Sequence, residues 1–345
     1  MFGKAGKQYA DKIAQHVEQA ALKHMNSKTP ASTEQATETL GSVTGKRKAL
    51  FVGINYFGQK GELRGCINDV KNIKKFLTSN FRIDEILVLT DDQQDPSKKP
   101  TRANIIAGFK WLRAGAKAGD SLIFHYSGHG GSVRDTDGDE EDGFDETLCP
   151  VDYASAGQIV DDEVHDVLAR GLPKGVRLTA IMDCCHSESI LDLPYVYNVN
   201  GDLEIIETSK NEGISKLVGA GARFLADGNK KKAMTSVTQG MKLLMKSGKS
   251  GDSAAREKTK QTRTTEADVI QFSGCKDEQT SADAMIGGQA TGAMSYALIT
   301  CLQKNKNLDY THLLQGMRKT LEGKYTQVPM MSAGRPLVLE HPFMI

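Results

Sequence analysis

The stretch Ser121-Leu-Ile-Phe-His-Tyr-Ser-Gly-His-Gly130 is an apolar run of strand length that stops abruptly at polar side chains. The stretch Thr179-Ala-Ile-Met-Asp-Cys-Cys-His-Ser187 has the same form. In an open α/β sheet the chemistry collects outside the carboxyl ends of parallel strands, so a His at one strand end can meet a Cys at another. We predict that His129 and Cys185 form a catalytic pair, because a nearby imidazole shifts a thiol towards the nucleophilic thiolate.

Apolar runs of strand length alternate with helical patterns on both sides of these stretches. Strands are predicted at 48–54, 85–90, 120–127, 177–183, 269–273 and 335–339, and helices at 68–77, 101–113, 162–169, 214–245, 291–302 and 308–321. Residues 194–212 have no clear period and are predicted to be an excursion from the fold. Alternation of this kind is typical of an α/β protein with a mostly parallel central sheet and right-handed crossovers.

The chain before the first strand has a different character. Apolar residues recur at four-residue spacing from Tyr9 to Met25, which predicts a leading amphipathic helix. Residues 26–46 are polar with little apolar content, which is typical of a linker. We therefore expect an N-terminal helix and linker at 1–45, followed by one large domain at 46–345.

Composition argues against several classes of protein. The 44 basic and 43 acidic residues leave a net charge of +1, which offers no global field to attract nucleic acid or an anionic membrane. The six cysteines have no C-x-x-C spacing, so neither a disulfide framework nor a structural zinc site is indicated. No run approaches the roughly 20 apolar residues of a membrane span. We expect a soluble monomer with no nucleic-acid or membrane partner, located in the cytoplasm, with the nucleus as a second compartment.

Glycines flank the proposed catalytic base. Gly128 and Gly130 let the backbone around His129 approach a substrate closely, and the N–H groups of Gly130 and Cys185 are candidates for an oxyanion hole. Cys184 should point to the opposite face from Cys185, which favours a position in the core. A structural role is the alternative for each of these residues taken alone, since buried Cys and lone His residues are common in protein interiors.

Acidic and hydroxyl side chains are predicted beside this pair. Asp183 is two residues before Cys185 and therefore on the same face of its strand. Asp69 opens a helix, and Ser127 ends the strand that carries His125, which is set back from the strand end. A pocket lined in this way would select a cation. An ordinary first-turn carboxylate is the alternative for Asp69, whereas a carboxylate that ends an apolar strand, as Asp183 does, needs a partner.

A run of acidic residues at 135–146 forms a second candidate site. It matches the calcium loop of an EF-hand at several Asp positions, but Glu140 stands where that loop requires Gly, and no helices flank it. A solvated acidic loop is the alternative. Asp161, Asp162 and Asp192 add carboxylates near the ends of other elements, and oxygen clusters of this density suit Ca²⁺.

Four segments carry a recognisable set of motifs. They are Leu-Arg-Gly-Cys-Ile-Asn-Asp at 63–69, His-Tyr-Ser-Gly-His-Gly at 125–130, Asp-Cys-Cys-His-Ser at 183–187 and Ser-Gly-Cys-Lys-Asp-Glu-Gln-Thr-Ser-Ala-Asp at 273–283. Together they resemble the metacaspases, the caspase-like cysteine peptidases of fungi, plants and protists. The type I form is the most similar, although its Pro/Gln-rich N-terminal region is absent and residues 1–45 take its place. The resemblance implies a caspase-like three-layer sandwich, with helices on both faces of the central sheet.

The resemblance also implies roles for individual residues. The catalytic dyad of a cysteine endopeptidase would be His129 and Cys185. Its polypeptide substrates would carry Arg or Lys before the cut, bound by Asp69, Ser127 and Asp183. Calcium ions, the implied cofactor, would be bound by Asp145, Asp161, Asp162 and Asp192. The domain would divide into a large-subunit-like part at 46–245, a basic cleavable loop at 246–265 and a small-subunit-like part at 266–345.

A basic segment is predicted to be cut by the enzyme itself. An enzyme with an acidic specificity pocket needs an exposed, extended segment that bears Lys or Arg, and 246–263 offers both among Gly, Ser and Thr. The candidate positions are Lys246, Lys249, Arg256, Lys258, Lys260 and Arg263. The alternative is a solvated basic linker that nothing cuts.

Two other interpretations compete with a calcium-dependent peptidase. Glu188 stands after Cys-His-Ser where the family usually has Gly, so a non-catalytic, calcium-responsive scaffold is the first alternative. A redox sensor that uses the adjacent Cys184 and Cys185 is the second, and it is disfavoured because adjacent cysteines form a disulfide only with strain. The presence of both Cys185 and His129 favours the enzyme.

Overall fold

An eight-stranded sheet forms the centre of the structure. The structure is a computed structural model, and it describes residues 40–134, 144–184, 190–199, 203–206, 261–275, 284–286, 289–322 and 328–345. The strands in the described residues are β1 (Arg47–Gly53), β2 (Glu85–Thr90), β3 (Ser121–Ser127), β4 (Gly130–Arg134), β5 (Phe144–Leu148), β6 (Ile159–Val160), β7 (Arg177–Asp183), β8 (Tyr195–Val199), β9 (Leu203–Ile206), β10 (Asp268–Cys275), β11 (Ala284–Ile286), β12 (Gln289–Thr291) and β13 (Val328–Ala333). The central sheet has the order β2-β1-β3-β7-β10-β13-β8-β9, while β4, β5 and β6 form a small sheet and β11 pairs with β12. The first five strands of the central order are parallel, and the last three are antiparallel to their neighbours.

Helices cover both faces of the central sheet. They are α1 (Cys66–Asn80), α2 (Arg102–Arg113), α3 (Tyr153–Ala156), α4 (Asp161–Val164), α5 (Ala293–Lys304) and α6 (Tyr310–Leu321), with a 3₁₀ turn at Pro96–Lys98 and a π-helical turn at His165–Ala169. Apolar side chains of α1, α5 and α6 pack against one face, and those of α2 and of residues 164–172 pack against the other. The predicted α/β class, with a mostly parallel sheet between two layers of helices, is confirmed.

The spacing of apolar residues explains how α1 packs on the sheet. Val70, Ile73 and Leu77 recur three and four residues apart and are at most 1% exposed. Burying each of these side chains contributes roughly 1.5–3 kcal/mol, which holds the helix on the sheet. Every residue of β3 is buried because helices lie on both sides of it, so this strand is apolar along most of its length rather than alternating.

Two predictions about secondary structure are wrong. The last strand lies at Val328–Ala333 and not at 335–339, and Pro329 within it is a residue that argues against a strand. Two parts of the predicted excursion instead form β8 and β9, which extend the sheet beyond β13. The helix predicted at 162–169 is confirmed, since α4 continues without a break as the π-helical turn that ends at Ala169.

The segment before β1 is bound to the domain. Leu40 is buried, and the N–H of Gly41 donates to Asp268 Oδ2 at 2.9 Å. The carbonyl of Gly41 accepts from Arg177 at 2.7 Å, so the packed chain begins before the predicted boundary at Lys46. The leading helix and the helix at 214–245 both lie outside the described residues. Within the part of the chain that the structure describes, no helix combines the length and the apolar composition needed to cross a membrane.

Candidate active site

The carboxyl ends of three neighbouring strands form the edge at which predicted site residues meet. β1 pairs with β3, and β3 with β7, all in parallel, so Gly53, Ser127 and Asp183 lie side by side. The strand order reverses between β1 and β3. In open α/β sheets such a switch point leaves a crevice for a ligand. The topology therefore places polar side chains from distant parts of the sequence around one crevice.

His129 lies directly beyond β3 and is held by the loop that follows β1. Its backbone N–H donates to the Tyr56 hydroxyl at 2.9 Å, and the two ring centroids are 4.7 Å apart. The imidazole Nε2 is 2.6 Å from the carbonyl oxygen of Gly61. A carbonyl oxygen can only accept, so Nε2 carries a proton and Nδ1 is the basic nitrogen of the neutral ring. The hydrogen bond from Nε2 to Gly61 thus fixes the orientation of the imidazole, and Nδ1 is left as the nitrogen that accepts a proton, as a general base requires.

Two tyrosines hold the backbone around His129. The Tyr56 hydroxyl donates to the carbonyl of Cys149 at 2.6 Å, and the Tyr126 hydroxyl donates to the carbonyl of His129 at 2.8 Å. Burial raises the pKa of both phenols, so both hydroxyls keep the proton that they donate. Sequence reasoning missed Tyr56 and Gly61. Tyr56 has φ 55°, a conformation uncommon for a residue with a side chain, and no sequence pattern pointed to it.

The predicted nucleophile, Cys185, lies outside the described residues, together with Glu188. Cys184 is 1% exposed and packs in one of the two apolar clusters, so its predicted position in the core is confirmed. Gly130 opens β4, and its role in an oxyanion hole stays a prediction. Cys66 at the start of α1 is buried, and that burial raises the pKa of its thiol far above the usual range, which disfavours it as a second nucleophile.

Asp69 and Asp183, here called the acid pair, are joined by the N-terminal turn of α5. Asp69 accepts from the Ser127 hydroxyl at 2.7 Å and from the N–H of Gly292 at 2.7 Å. Asp183 accepts from the N–H of Ser295 at 3.0 Å. The two acids are 1% and 6% exposed. The structure therefore brings the three predicted pocket residues together, and it adds Ser295, which sequence reasoning did not single out.

Asp145, Asp161, Asp162 and Asp192, here called the acidic cluster, come from β5, α4 and the segment before β8. Asp161 is 2% exposed and accepts from the N–H groups of Glu146 and Asp162 at 2.9 Å each. Burial, followed by the nearby negative charges of Glu146 and Asp145, raises the pKa of Asp161 to about 8. Asp192 has φ 44°, an uncommon conformation of the kind that collects at functional sites.

Arg263 lies against the acidic cluster. Its Nε is 2.5 Å from Asp192 Oδ2, a second guanidinium nitrogen contacts Asp162, and Nη1 is 3.7 Å from Asp166 Oδ1. Arg263 is only 4% exposed. The prediction that Arg263 lies in an exposed loop is therefore wrong, because its side chain is buried among carboxylates. The other predicted cleavage positions lie outside the described residues.

The chemistry of the acidic cluster suits a hard cation. Its side chains present carboxylate oxygens, and burial raises the pKa of Asp161 despite the nearby positive charge of Arg263. Within the described ranges, however, no group of three or more His, Cys, Asp or Glu side chains is arranged to hold a metal ion. Arg263 lies between Asp162 and Asp192 instead. The residues fit calcium in kind, and their spacing would have to change to bind it.

The chain is similar to fungal metacaspases over most of its length. The family model described as "Metacaspase, peptidase C14 domain" matches residues 47–194. Metacaspase-1 of Ajellomyces capsulatus is 52% identical over 298 residues, which cover 85% of this chain and 81% of that protein. Metacaspase-1A of Aspergillus fumigatus is 53% identical over 298 residues, which cover 85% of this chain and 70% of that protein.

A solved structure shares the fold at much lower sequence identity. The crystal structure of a protein from Geobacter sulfurreducens matches with a TM-score of 0.51 and 23% identity, covering 87% of this chain and 99% of that chain. A likeness at this identity concerns the fold alone. The fungal relatives are about half identical across most of both chains, and the matched region contains His129, Asp69 and Asp183. The chain belongs to the metacaspase family of cysteine peptidases.

Proposed function

We propose that this cysteine peptidase is a calcium-dependent endopeptidase that cleaves polypeptides after Arg or Lys and also cuts its own chain. The observation that supports this specificity is the acid pair beside His129. The hydroxyl of Ser127 and the backbone N–H groups of α5 orient Asp69 and Asp183 without cancelling their charge, because these donors are neutral. Two buried carboxylates at one crevice favour a cationic substrate side chain over a neutral or acidic one.

The proposed reaction uses His129 as both base and acid. His129 accepts the thiol proton of Cys185, and the thiolate sulfur bonds to the carbonyl carbon of the residue before the cut. The C–N bond then breaks, and the imidazolium gives its proton to the leaving amine. Water then attacks the thioester carbonyl carbon while His129 accepts its proton, the C–S bond breaks to release the carboxylic acid product, and the imidazolium returns the proton to the Cys185 sulfur. The carbonyl of Gly61 holds Nε2, so Nδ1 is the nitrogen that gains and loses the proton in both steps.

Hydrolysis of short reporter peptides tests this function. With Ca²⁺ present, the wild-type protein should cleave peptides that end in Arg or Lys and should leave those that end in Asp intact. Cys185→Ala should abolish cleavage, whereas Cys184→Ala should retain most of it because that side chain lies in the apolar core. A protein that binds calcium and cleaves none of these peptides would instead support the non-catalytic scaffold.

The acidic cluster supports the proposed calcium dependence. Asp145, Asp161, Asp162 and Asp192 would hold Ca²⁺, which accepts six to eight oxygen ligands in flexible geometry. When bound, the ion supplies positive charge that draws these segments together. Arg263 already brings positive charge to Asp162 and Asp192, so calcium has to compete with it. We therefore expect a requirement on the order of high micromolar to millimolar Ca²⁺, which Mg²⁺ does not satisfy because it demands a stricter octahedron.

Self-cleavage is proposed between residues 246 and 260. The remaining candidate positions there are Lys246, Lys249, Arg256, Lys258 and Lys260. Calcium should be added to the intact protein and the new N-termini sequenced. Fragments that begin directly after one of these positions, and that are absent from Cys185→Ala, support the proposal. An active enzyme that stays a single chain would overturn it.

A further inference from the structure

Ser295 connects the acid pair to a buried histidine. It lies in the first turn of α5 and is 1% exposed. Its backbone N–H donates to Asp183 Oδ2 at 3.0 Å, and its hydroxyl contacts the same oxygen. On its other side the hydroxyl oxygen is 2.9 Å from Nε2 of His125, a residue that is fully buried in β3. The three side chains therefore form one hydrogen-bonded chain that ends at the carboxylate.

The number of available protons decides which atoms donate and which accept in the hydrogen bonds between His125, Ser295 and Asp183. An ionised carboxylate only accepts, so the single hydroxyl proton of Ser295 is donated to Asp183. The Ser295 oxygen then accepts from His125, which requires the proton of that imidazole on Nε2. Nδ1 of His125 is buried and has no hydrogen-bond partner among the residues described, so a proton there would lack an acceptor. One tautomer of His125 is compatible with the packing, and it holds the Ser295 hydroxyl in one orientation.

The same turn of α5 also holds the second acid. The N–H of Gly292 donates to Asp69 Oδ1, and the N–H of Met294 donates to Asp183 Oδ1, at 2.7 and 2.9 Å. A Cβ atom at position 292 would overlap the Asp183 carboxylate, so the backbone approaches this acid as closely as only glycine allows. Both oxygens of Asp183 thus have donors, and the Ser295 hydroxyl is the donor from a side chain.

We propose that Ser295, supported by His125, is a positioning residue that sets the preference for Arg over Lys before the cut. The proposal rests on the proposed cleavage after these two residues. A guanidinium is a planar fork that binds a carboxylate through two parallel hydrogen bonds, so it needs the carboxylate plane in a defined orientation. An ammonium group acts as a point charge and tolerates a rotated carboxylate. Fixing the plane of Asp183 therefore favours Arg more than Lys.

Matched variants test this role through the ratio of kcat/KM for Arg peptides to kcat/KM for Lys peptides. Ser295→Ala should lower kcat/KM for Arg peptides by about tenfold, mainly through KM, as expected for one charge-assisted hydrogen bond. The kcat/KM for Lys peptides should change by less than about threefold. Ser295→Thr keeps the hydroxyl and should restore the ratio. Ser121→Ala removes another buried hydroxyl, at the opposite end of β3 and without a partner among the described residues, and should leave both values unchanged.

The outcomes separate this proposal from the function on which it rests. A wild-type enzyme that cuts after neither Arg nor Lys would overturn both. Normal wild-type cleavage with equal losses for Arg and Lys in Ser295→Ala would overturn only the positioning role, because a mere helix cap lowers both together. If Ser295→Ala does not fold, His125→Leu removes the donor to the hydroxyl and keeps both Ser295 donors to Asp183, while it also removes an imidazole nitrogen that lies 3.6 Å from Asp183 Oδ2. An unchanged Arg/Lys ratio in that variant would also overturn the proposal, and a lowered ratio would support it.

Discussion

The acid pair and the acidic cluster are both groups of carboxylates that are buried except for Asp162, whose side chain is 33% exposed, and the two groups are balanced in different ways. Asp69 and Asp183 accept from hydroxyl groups and from the first N–H groups of α5. Asp162 and Asp192 contact the guanidinium of Arg263. Neutral donors and a helix N-terminus lower the cost of burying a carboxylate while leaving its charge in place. A guanidinium, by contrast, offsets part of that charge with its own.

The difference indicates which cation each region can accept. A substrate side chain that enters the acid pair would meet two carboxylates that hydroxyl and backbone N–H groups already hold in position, and these neutral donors leave the negative charge in place. A metal ion that enters the acidic cluster has to displace Arg263, and breaking a buried ion pair costs several kcal/mol unless the new cation repays it. The first region is therefore suited to recognition, and the second to a response that needs a threshold concentration of its ion.

Removing a charge from the acid pair should have the largest effect. Asp183→Asn should lower kcat/KM for Arg peptides by about 100-fold at saturating Ca²⁺, since it removes roughly 2.7 kcal/mol of charge-assisted binding. Asp192→Asn is the matched change in the acidic cluster. When Ca²⁺ is saturating, its kcat/KM for Arg peptides should stay within about threefold of the wild-type kcat/KM. Kinetics on Arg reporter peptides measures both. Equal losses in the two variants would mean that the two regions do not differ in role.

Removing the cation from the acidic cluster should have an intermediate effect. Arg263→Gln should lower the Ca²⁺ concentration at half-saturation by about tenfold, equivalent to about 1.4 kcal/mol, because calcium no longer competes with the guanidinium. Calorimetric titration of calcium into protein that also carries Cys185→Ala measures binding without self-cleavage. Arg170→Gln is the control, since Arg170 pairs with Asp166 nearby but is 52% exposed. Weaker calcium binding by Arg263→Gln would show that Arg263 instead helps to build the site.

Acid should weaken the acidic cluster slightly through His165. Burial lowers the pKa of His165, whose Nδ1 is 2.9 Å from the carbonyl of Leu191, next to Asp192. A base with a lowered folded-state pKa binds more protons when unfolded, so its contribution is complete above about pH 6.5 and is lost as the pH falls below that value. Asp161, whose pKa is raised to about 8, contributes with the opposite sign over the same pH range, so the effect of His165 is measured as a difference between variants and not from the wild-type melting temperature alone.

Replacing this histidine checks the cause. His165→Asn cannot take up a proton and can still donate to Leu191, so the melting temperature of this variant minus that of the wild type should rise between pH 7.5 and pH 5.5. His341→Asn, which changes a histidine that bonds only locally to Pro342 among the described residues, is the control and should follow the wild type. An identical change with pH in all three proteins would assign the acid sensitivity to other groups.

Much of the fold was predictable because its signals are local. The predicted strands at 85–90 and 177–183 agree with the structure residue for residue, since apolar runs bounded by polar residues leave little ambiguity in a sheet covered on both faces. β13 was missed because Pro329 contradicts the local pattern, and only pairing with β10 and β8 on either side keeps it in the sheet. Whether such a segment forms a strand therefore depends on its pairing with neighbouring strands.

The sequence by itself determined which polar side chains could meet at the strand ends. Ser127 and Asp183 end two strands of the same parallel sheet, and that is enough to place them at one edge. The tertiary structure alone decided what balances those acids. Ser295 reaches Asp183 from 112 residues away, and Arg263 reaches Asp162 from a segment predicted to be an exposed loop. No local pattern specifies such contacts, because they depend on how separate helices and loops pack around a buried charge that needs a partner.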